Sequence, residues 1–227
     1  MLGMAILVVA ALIWIGLHIG ISGTHLRDSI VKRIGEGPFR GLFSLLSVLA
    51  LALLIGAWHV LWTTPLWNAP GWLRWVLVVV MLVAFVLFVA SVSQRSPTMV
   101  GGEAMTEPPR GILRITRHPM LCSFALWAAV HIIGTGDSGA IVFFGAFLVT
   151  ALAGMPSIDA KLAGRNPAAW QTLSATTSIV PFAAIAQGRN RFVAREIGWL
   201  APVIGVIAWA VVLHLHPWLF GFAPVAM

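Results

Sequence analysis

The stretch that decides the fold is residues 115–137, ITRHPMLCSFALWAAVHIIGTGD. It opens on a basic, proline-punctuated turn (Arg114, Arg117, His118, Pro119), and Pro119 suits the first position of a helix, where a missing N–H costs nothing. From Met120 to Ile133 the only ionisable side chain besides the Cys122 thiol is His131, and Gly134 and Gly136 close the run before Asp137. An uninterrupted apolar segment of this kind is a membrane helix. A histidine inside such a segment is costly unless it has a partner, so His131 is a candidate functional residue. A hydrogen bond to a neighbouring helix is the blander explanation.

The rest of the chain has the same character. Apolar residues make up 59% and charged residues 9% of the 227 residues, against roughly a quarter charged in a soluble domain. Six apolar spans, at 2–22, 40–61, 72–92, 119–134, 139–157 and 197–217, each approach the roughly 20 residues needed to cross a bilayer. The expected fold is therefore all-α: a polytopic membrane bundle of about six transmembrane helices in contact with the lipid bilayer. The first span has no basic segment before it and is not expected to be a signal peptide.

Charge gives the orientation. Arg27, Lys32, Arg33 and Arg40 flank the first loop. Arg95, Arg110, Arg114 and Arg117 lie in the third, and Lys161, Arg165, Arg189, Arg191 and Arg195 in the fifth. Only Arg74 falls by the second loop, so thirteen of the fourteen basic residues share one side. The positive-inside rule makes that side cytoplasmic and places both termini outside. It also explains the net charge of +7 without nucleic acid. Trp58, Trp62, Trp67, Trp72 and Trp75 gather at the second loop as an outer aromatic belt.

Two loops carry further structure. Thr24 caps an expected amphipathic helix in which Leu26, Ile30 and Ile34 share a face opposite Arg27 and Lys32, ended by Gly35 and Gly37. It would lie on the inner membrane surface. Residues 158–173 predict a similar segment, with Leu162, Ala169 and Trp170 as apolar contacts and a break at Pro167. The third loop, with Pro97, Gly101, Gly102, Pro108 and Pro109, reads as irregular and mobile.

Chemistry-bearing residues are few. There is no Walker loop, GxGxxG, HExxH or CxxC, and no acid inside a span. Asp137 and Asp159 read as solvated caps at span ends, and Cys122, the lone cysteine, as a small buried thiol. Histidines remain. His18, His25 and His118 fall toward the inner side; His59, His131, His214 and His216 fall toward the outer side. His118 and His131 share a helix but stand roughly 20 Å apart along it, at about 1.5 Å per residue. His18 lies in GLHIGISG, where Gly16 and Gly20 form a small-residue face open to a neighbouring backbone or to a flat cofactor.

Three stretches resemble the NnrU family of integral membrane proteins: His18 followed by LRDSIVKRIGEGPFRGLFSLLS, then TRHPMLCSFALWAAVHIIGTGD, then DAKLAGRNPAAWQTLSATTSIVPFAAI. The resemblance implies a membrane domain over residues 1–187, with residues 188–227 adding a cytoplasmic connector and a sixth helix. It also implies a place in the bacterial cytoplasmic (inner) membrane and a role beside nitrite and nitric oxide reduction (denitrification). A eukaryotic relative of the family is a polyene isomerase that holds b-type haem between two histidines, whose positions match His18 and His131. Ala128 stands where that isomerase has a cysteine proposed as an exchangeable ligand, and Cys122 does not occupy the position. Depth along the spans leaves two other pairings open, His59 with His131 and His118 with His18. A looser similarity links RHP, Asp159, Gly164, Trp170 and Pro181 to isoprenylcysteine carboxyl methyltransferases, which hold S-adenosylmethionine. There a tyrosine stands after the RHP at the position that Leu121 holds in this chain. The expectations are thus a haem protein, a membrane methyltransferase with its cofactor near Arg117, His118 and Asp159, or a cofactor-free assembly factor. Oligomeric state is not legible.

Overall fold

The computed structural model describes residues 2–60, 63–93 and 108–225. Helices α1 (Leu2–Ile15), α2 (His25–Ile34), α3 (Glu36–His59), α4 (Gly71–Ser93), α5 (Pro119–Thr135), α6 (Ser138–Arg165) and α7 (Pro167–Thr176) are followed by the single turns α8 (Ala183–Ala186) and α9 (Ala194–Ile197), and by α10 (Leu200–Phe220). Five elements are long and apolar enough to cross a membrane: Leu2–Ile21, α3, α4, α6 and α10. The sixth, α5, has 17 residues, or about 26 Å at 1.5 Å per residue, at the short end of what spans a bilayer. The protein is an all-α polytopic membrane protein. Arg95, Pro97, Gly101, Gly102 and Trp62 lie outside the described residues.

The chain forms two compact units that interleave in sequence: residues 1–69 with 128–157, and residues 70–127 with 158–227. In the first, α1 packs on α3 around Leu7, Ala10, Ala11, Leu54, Ala57 and Ala146. Small residues at these positions let the helices approach where no hydrophobic effect drives them together. The segment before α4 is tied to the α5–α6 turn. Leu66 N–H and Trp67 N–H both donate to Gly136 O (2.8 and 3.0 Å), Ser138 N–H donates to Thr64 O (3.0 Å), and the Trp67 indole donates to Ile133 O (2.8 Å). Gly136 has φ +70°, and a Cβ there would strike the Trp67 backbone, so only glycine fits. Asp137 accepts from Ala140 N–H at 2.7 Å and is a helix cap, as its position at a span end suggests.

In the second unit α10 lies along α4. The Trp209 indole donates to Val78 O at 3.0 Å. A Cβ on Gly205 would come within 2.9 Å of Val86 Cα, so this glycine permits the close approach.

The first-loop helix forms with the expected bounds. Thr24 Oγ1 accepts from Leu26 N–H at 3.2 Å, and Gly35 ends the helix at φ +89°. Leu26 and Ile34 are exposed, as a face applied to lipid requires. Arg27 differs from its expected solvated position. It donates to Glu36 at 2.6 Å and its guanidinium lies 5.3 Å from the Phe39 ring centroid, pinning α2 to the start of α3. Ile30→Asp is expected to lift α2 from the membrane surface, seen as several-fold faster proteolysis between Thr24 and Gly37 in vesicles. An unchanged cleavage rate would refute surface burial of this helix.

The expected separate segment at 158–173 is corrected. Helix α6 continues through Pro156 to Arg165, so residues 158–165 are its last two turns. Pro156 loses one backbone donor but does not end the helix. The break comes at Asn166, which caps α7 by accepting from Ala169 N–H at 3.1 Å, with Pro167 at the first helical position. In the proposed aromatic belt, Trp67, Trp72 and Trp75 are exposed, whereas Trp58 packs inward on Phe143 (5.0 Å) and Phe144 (5.8 Å).

Candidate functional site: a histidine-flanked aromatic layer

His18 does not sit on ordinary α-helix. After Ile15 the chain widens into a π-helical stretch, Gly16–Ile21, with His18 at its centre. Such wide turns are rare and recur at functional sites. The ring is fixed on three sides. Its Nδ1 lies 2.9 Å from Trp14 O, its face stacks on the Trp14 indole at 4.0 Å, and Phe43 meets it edge-on at 5.3 Å. A carbonyl only accepts, so Nδ1 carries the proton and Nε2 keeps its lone pair. Two buried polar atoms nearby have no partner among the described residues: the indole N–H of Trp14, and Ser47 Oγ one helical turn after Phe43. The glycine face at Gly16 and Gly20 is a different feature. A Cβ on either would meet nothing within 4 Å, so among the described residues no neighbouring backbone packs there. Each glycine is two residues from His18, roughly half a helical turn, which turns that face away from the histidine.

His131, on α5, stacks on Phe144 at 4.7 Å. Ring contacts join it to His18 through Phe144, Phe143, Phe147 and Trp14, at 5.0, 5.4 and 4.8 Å between successive rings. The two histidines therefore flank one aromatic layer without touching each other. Among the described residues no group of three or more His, Cys, Asp or Glu side chains gathers to hold a metal ion. His59 is exposed at the last residue of α3. His216 binds Phe222 O at 2.6 Å near the end of α10.

His118 belongs to a different construction, in the second unit. Arg117 Nε lies 3.0 and 2.9 Å from the two Asp159 oxygens and Nη2 lies 2.6 Å from Oδ2, while His118 Nε2 donates to Oδ1 at 2.8 Å. Asp159 and His118 are 7% and 2% exposed, so Asp159 is a buried counter-ion and not the solvated cap its sequence position suggested. The turn is also sewn to residues 177–182: Arg117 N–H donates to Ser178 O (3.0 Å), Thr116 Oγ1 to Ile179 O (2.8 Å), and Phe182 N–H to Ile115 O (2.8 Å). The Arg117 guanidinium lies 5.2 Å from the Trp170 ring centroid. Cys122 is buried beside Thr116, as a small structural thiol would be. Among the described residues the Nδ1 of His118 is buried without a partner; its Nε2 is committed to Asp159.

A second clasp escaped the sequence reading. Glu196 accepts from Arg114 Nε (2.7 Å), Arg114 Nη2 (3.0 Å) and Gly111 N–H (2.9 Å). The Arg114 guanidinium, and then the Gly111 N–H, hold its carboxyl well below the ordinary 4.5, at about 2. The one acid among the basic residues 189–196 was the available signal. Because the folded value is depressed, the clasp is complete above about 4.5 and is lost as pH falls toward about 2. Glu196→Gln is expected to raise hydrogen exchange of residues 111–116 several-fold at neutral pH. The wild type should show the same rise only on acidification through that window. Equal exchange in variant and wild type at neutral pH would show that the clasp does not hold the loop.

Comparison with known proteins places these residues in context. The family described as "NnrU protein" matches residues 6–224. The chain is 28% identical over 193 residues to the chloroplastic 15-cis-zeta-carotene isomerase of Zea mays, covering 82% of this chain and 52% of that protein. It is 30% identical over 184 residues to the Arabidopsis thaliana protein of the same description, covering 79% and 50%. The chain thus spans about half the length of these curated relatives. No solved structure matches it.

Proposed function

The chain belongs to the NnrU family, and from that premise we propose that it is an integral membrane isomerase of an apolar polyene, with His18 and His131 holding a b-type haem. The observation that carries this reading is the state of His18. Its Nδ1–H is pinned to Trp14 O inside a π-helical turn, so Nε2 presents a lone pair. Metal-bound histidines are oriented by such a bond on the other ring nitrogen. Aromatic walls and, among the described residues, the unpartnered Trp14 N–H and Ser47 Oγ favour a flat group beside His18. Phe144, Phe143, Phe147 and Trp14 stand between the two histidines, so one iron would take both only where that layer parts. Haem supplies an iron whose potential is set by its axial ligands and their burial. The chain's own contribution is to hold the imidazoles, exclude water with Phe143, Phe144 and Phe147, and offer an apolar site to a bilayer-dissolved substrate.

The description of the two plant relatives favours polyene isomerisation over support of nitrite and nitric oxide reduction. The methyltransferase reading has less behind it, because Arg117, His118 and Asp159 are spent on one another. Purified protein supplied with haem is expected to show a Soret band and to convert a 15-cis polyene to another isomer without net oxidation, followed by chromatography. Haem uptake without conversion would end the isomerase reading. No Soret band after haem is supplied would end the cofactor reading and leave the assembly factor.

A further inference from the structure

Residues 174–189, with Arg117, shape an open cavity of about 380 Å³ whose polar lining includes Arg189, Gln187 and Ser178. Arg189 is held in a fixed pose. Its Nε donates to Gln187 Oε1 (2.9 Å), and its Nη1 caps α7 at the carbonyls of Ser174 (3.1 Å), Ala175 (2.8 Å) and Thr177 (3.0 Å). Among the described residues Nη2 of Arg189 and the amide NH₂ of Gln187 have no partner, and Arg189 has no carboxylate partner. Among the described residues no acid lines the cavity. It presents immobilised donors and an uncompensated positive charge.

Val180 lines the cavity, and Phe182 lies between the lining residues Val180 and Ala183 in the chain. Val180, Phe182 and Phe192 are 64%, 51% and 54% exposed, and the two phenyl rings lie 6.5 Å apart. They fall between α6 and α10, outside both spans, so exposure to lipid along a transmembrane helix does not account for them. Phe182 has φ +64°, a left-handed conformation that glycine adopts freely and a bulky residue only under strain. The chain holds it there through Phe182 N–H to Ile115 O (2.8 Å) and Ala186 N–H to Phe182 O (2.9 Å). A strained backbone that presents an exposed aromatic ring points to a use for the ring.

We infer that this surface binds an anionic glycerophospholipid, its phosphate on Arg189 Nη2 and the Gln187 amide and its acyl chain against Val180, Phe182 and Phe192. Two features select a lipid over a soluble anion. The cavity sits in a connector between membrane helices, and its rim offers apolar surface that a free phosphate cannot use.

The test is native mass spectrometry of the whole chain in detergent, titrated with phosphatidylglycerol or phosphatidylcholine. Wild type is expected to retain phosphatidylglycerol over phosphatidylcholine by roughly fivefold, the effect of about one basic charge at an anionic surface. Gln187→Glu keeps an acceptor for Arg189 Nε, so α7 stays capped and the lipid-free melting temperature should not fall. The added negative charge should bring the preference to near parity. Phe182→Gly should weaken retention of both lipids without lowering lipid-free stability, since it removes the strain. Wild-type retention in Gln187→Glu would overturn the site. Complete displacement of phosphatidylglycerol by millimolar inorganic phosphate would assign it to a soluble anion instead.

Discussion

His18→Ala is expected to abolish the Soret band of the haem-supplied protein, and added imidazole is expected to restore part of it. The argument rests on how little freedom the ring has. Stacking on Trp14 and edge contact with Phe43 fix its plane, and the Trp14 carbonyl fixes its tautomer. A preoriented neutral imidazole gives up little entropy on binding iron, so its removal takes away a prepared ligand and leaves a cavity that free imidazole can enter. Trp14→Phe is a finer probe. It keeps the backbone carbonyl and an aromatic face but deletes the unpartnered indole N–H. If that donor meets the haem edge, affinity should fall by roughly 10–100-fold, the usual cost of losing a supporting contact around a metal. His131→Ala should also lose the band. His59→Ala should keep it, because His59 is exposed at the end of α3. Normal spectra in both His18→Ala and His131→Ala would end the assignment. Loss in His59→Ala and His131→Ala alone would move the site to the outer layer.

Much of this architecture was legible in residue order because membrane helices declare themselves by composition. The span at 72–92 is α4 within a residue at each end. The Thr24-to-Gly35 helix was legible from its caps alone, since both signals are local. The π-helical stretch around His18 was not. A wide turn needs only one residue more than an α-turn, and no residue type announces it. The aromatic layer was half visible: Phe143, Phe144 and Phe147 are spaced to share a helix face, but their stacking with His131 and Trp14 depends on which helices meet. Asp159 was the largest misreading. A carboxylate at the inner end of a span is normally solvated, and its partners lie 41 and 42 residues earlier in the chain. Hydropathy contains no term for an ion pair made over that distance. The continuation of α6 through Pro156 was equally hidden, since Asp159 on its last turns is engaged by Arg117 and His118 from far earlier in the chain.

Asp159→Asn is expected to be the most damaging single change for stability, costing about 3–5 kcal/mol, the usual penalty for removing one partner of a buried ion pair. The site is demanding because one carboxylate serves two side chains. Arg117 engages both oxygens, and His118 takes Oδ1. With asparagine in place, the Arg117 guanidinium would remain in a nearly closed environment facing a neutral amide, and one His118 or Arg117 donor would face an NH₂. The loss would spread. Arg117 N–H and Thr116 Oγ1 fasten residues 178 and 179 only while the RHP turn keeps its shape. Arg117→Gln alone should cost a similar amount, because it leaves Asp159 buried with only His118. The double variant should cost about as much as either single change and not their sum, since both remove one network. Unfolding of the purified protein in mixed detergent micelles measures all three. Additive losses would show that Arg117 and Asp159 act separately. A loss below about 1 kcal/mol in Asp159→Asn would place the pair in solvent, where such bridges are worth that little.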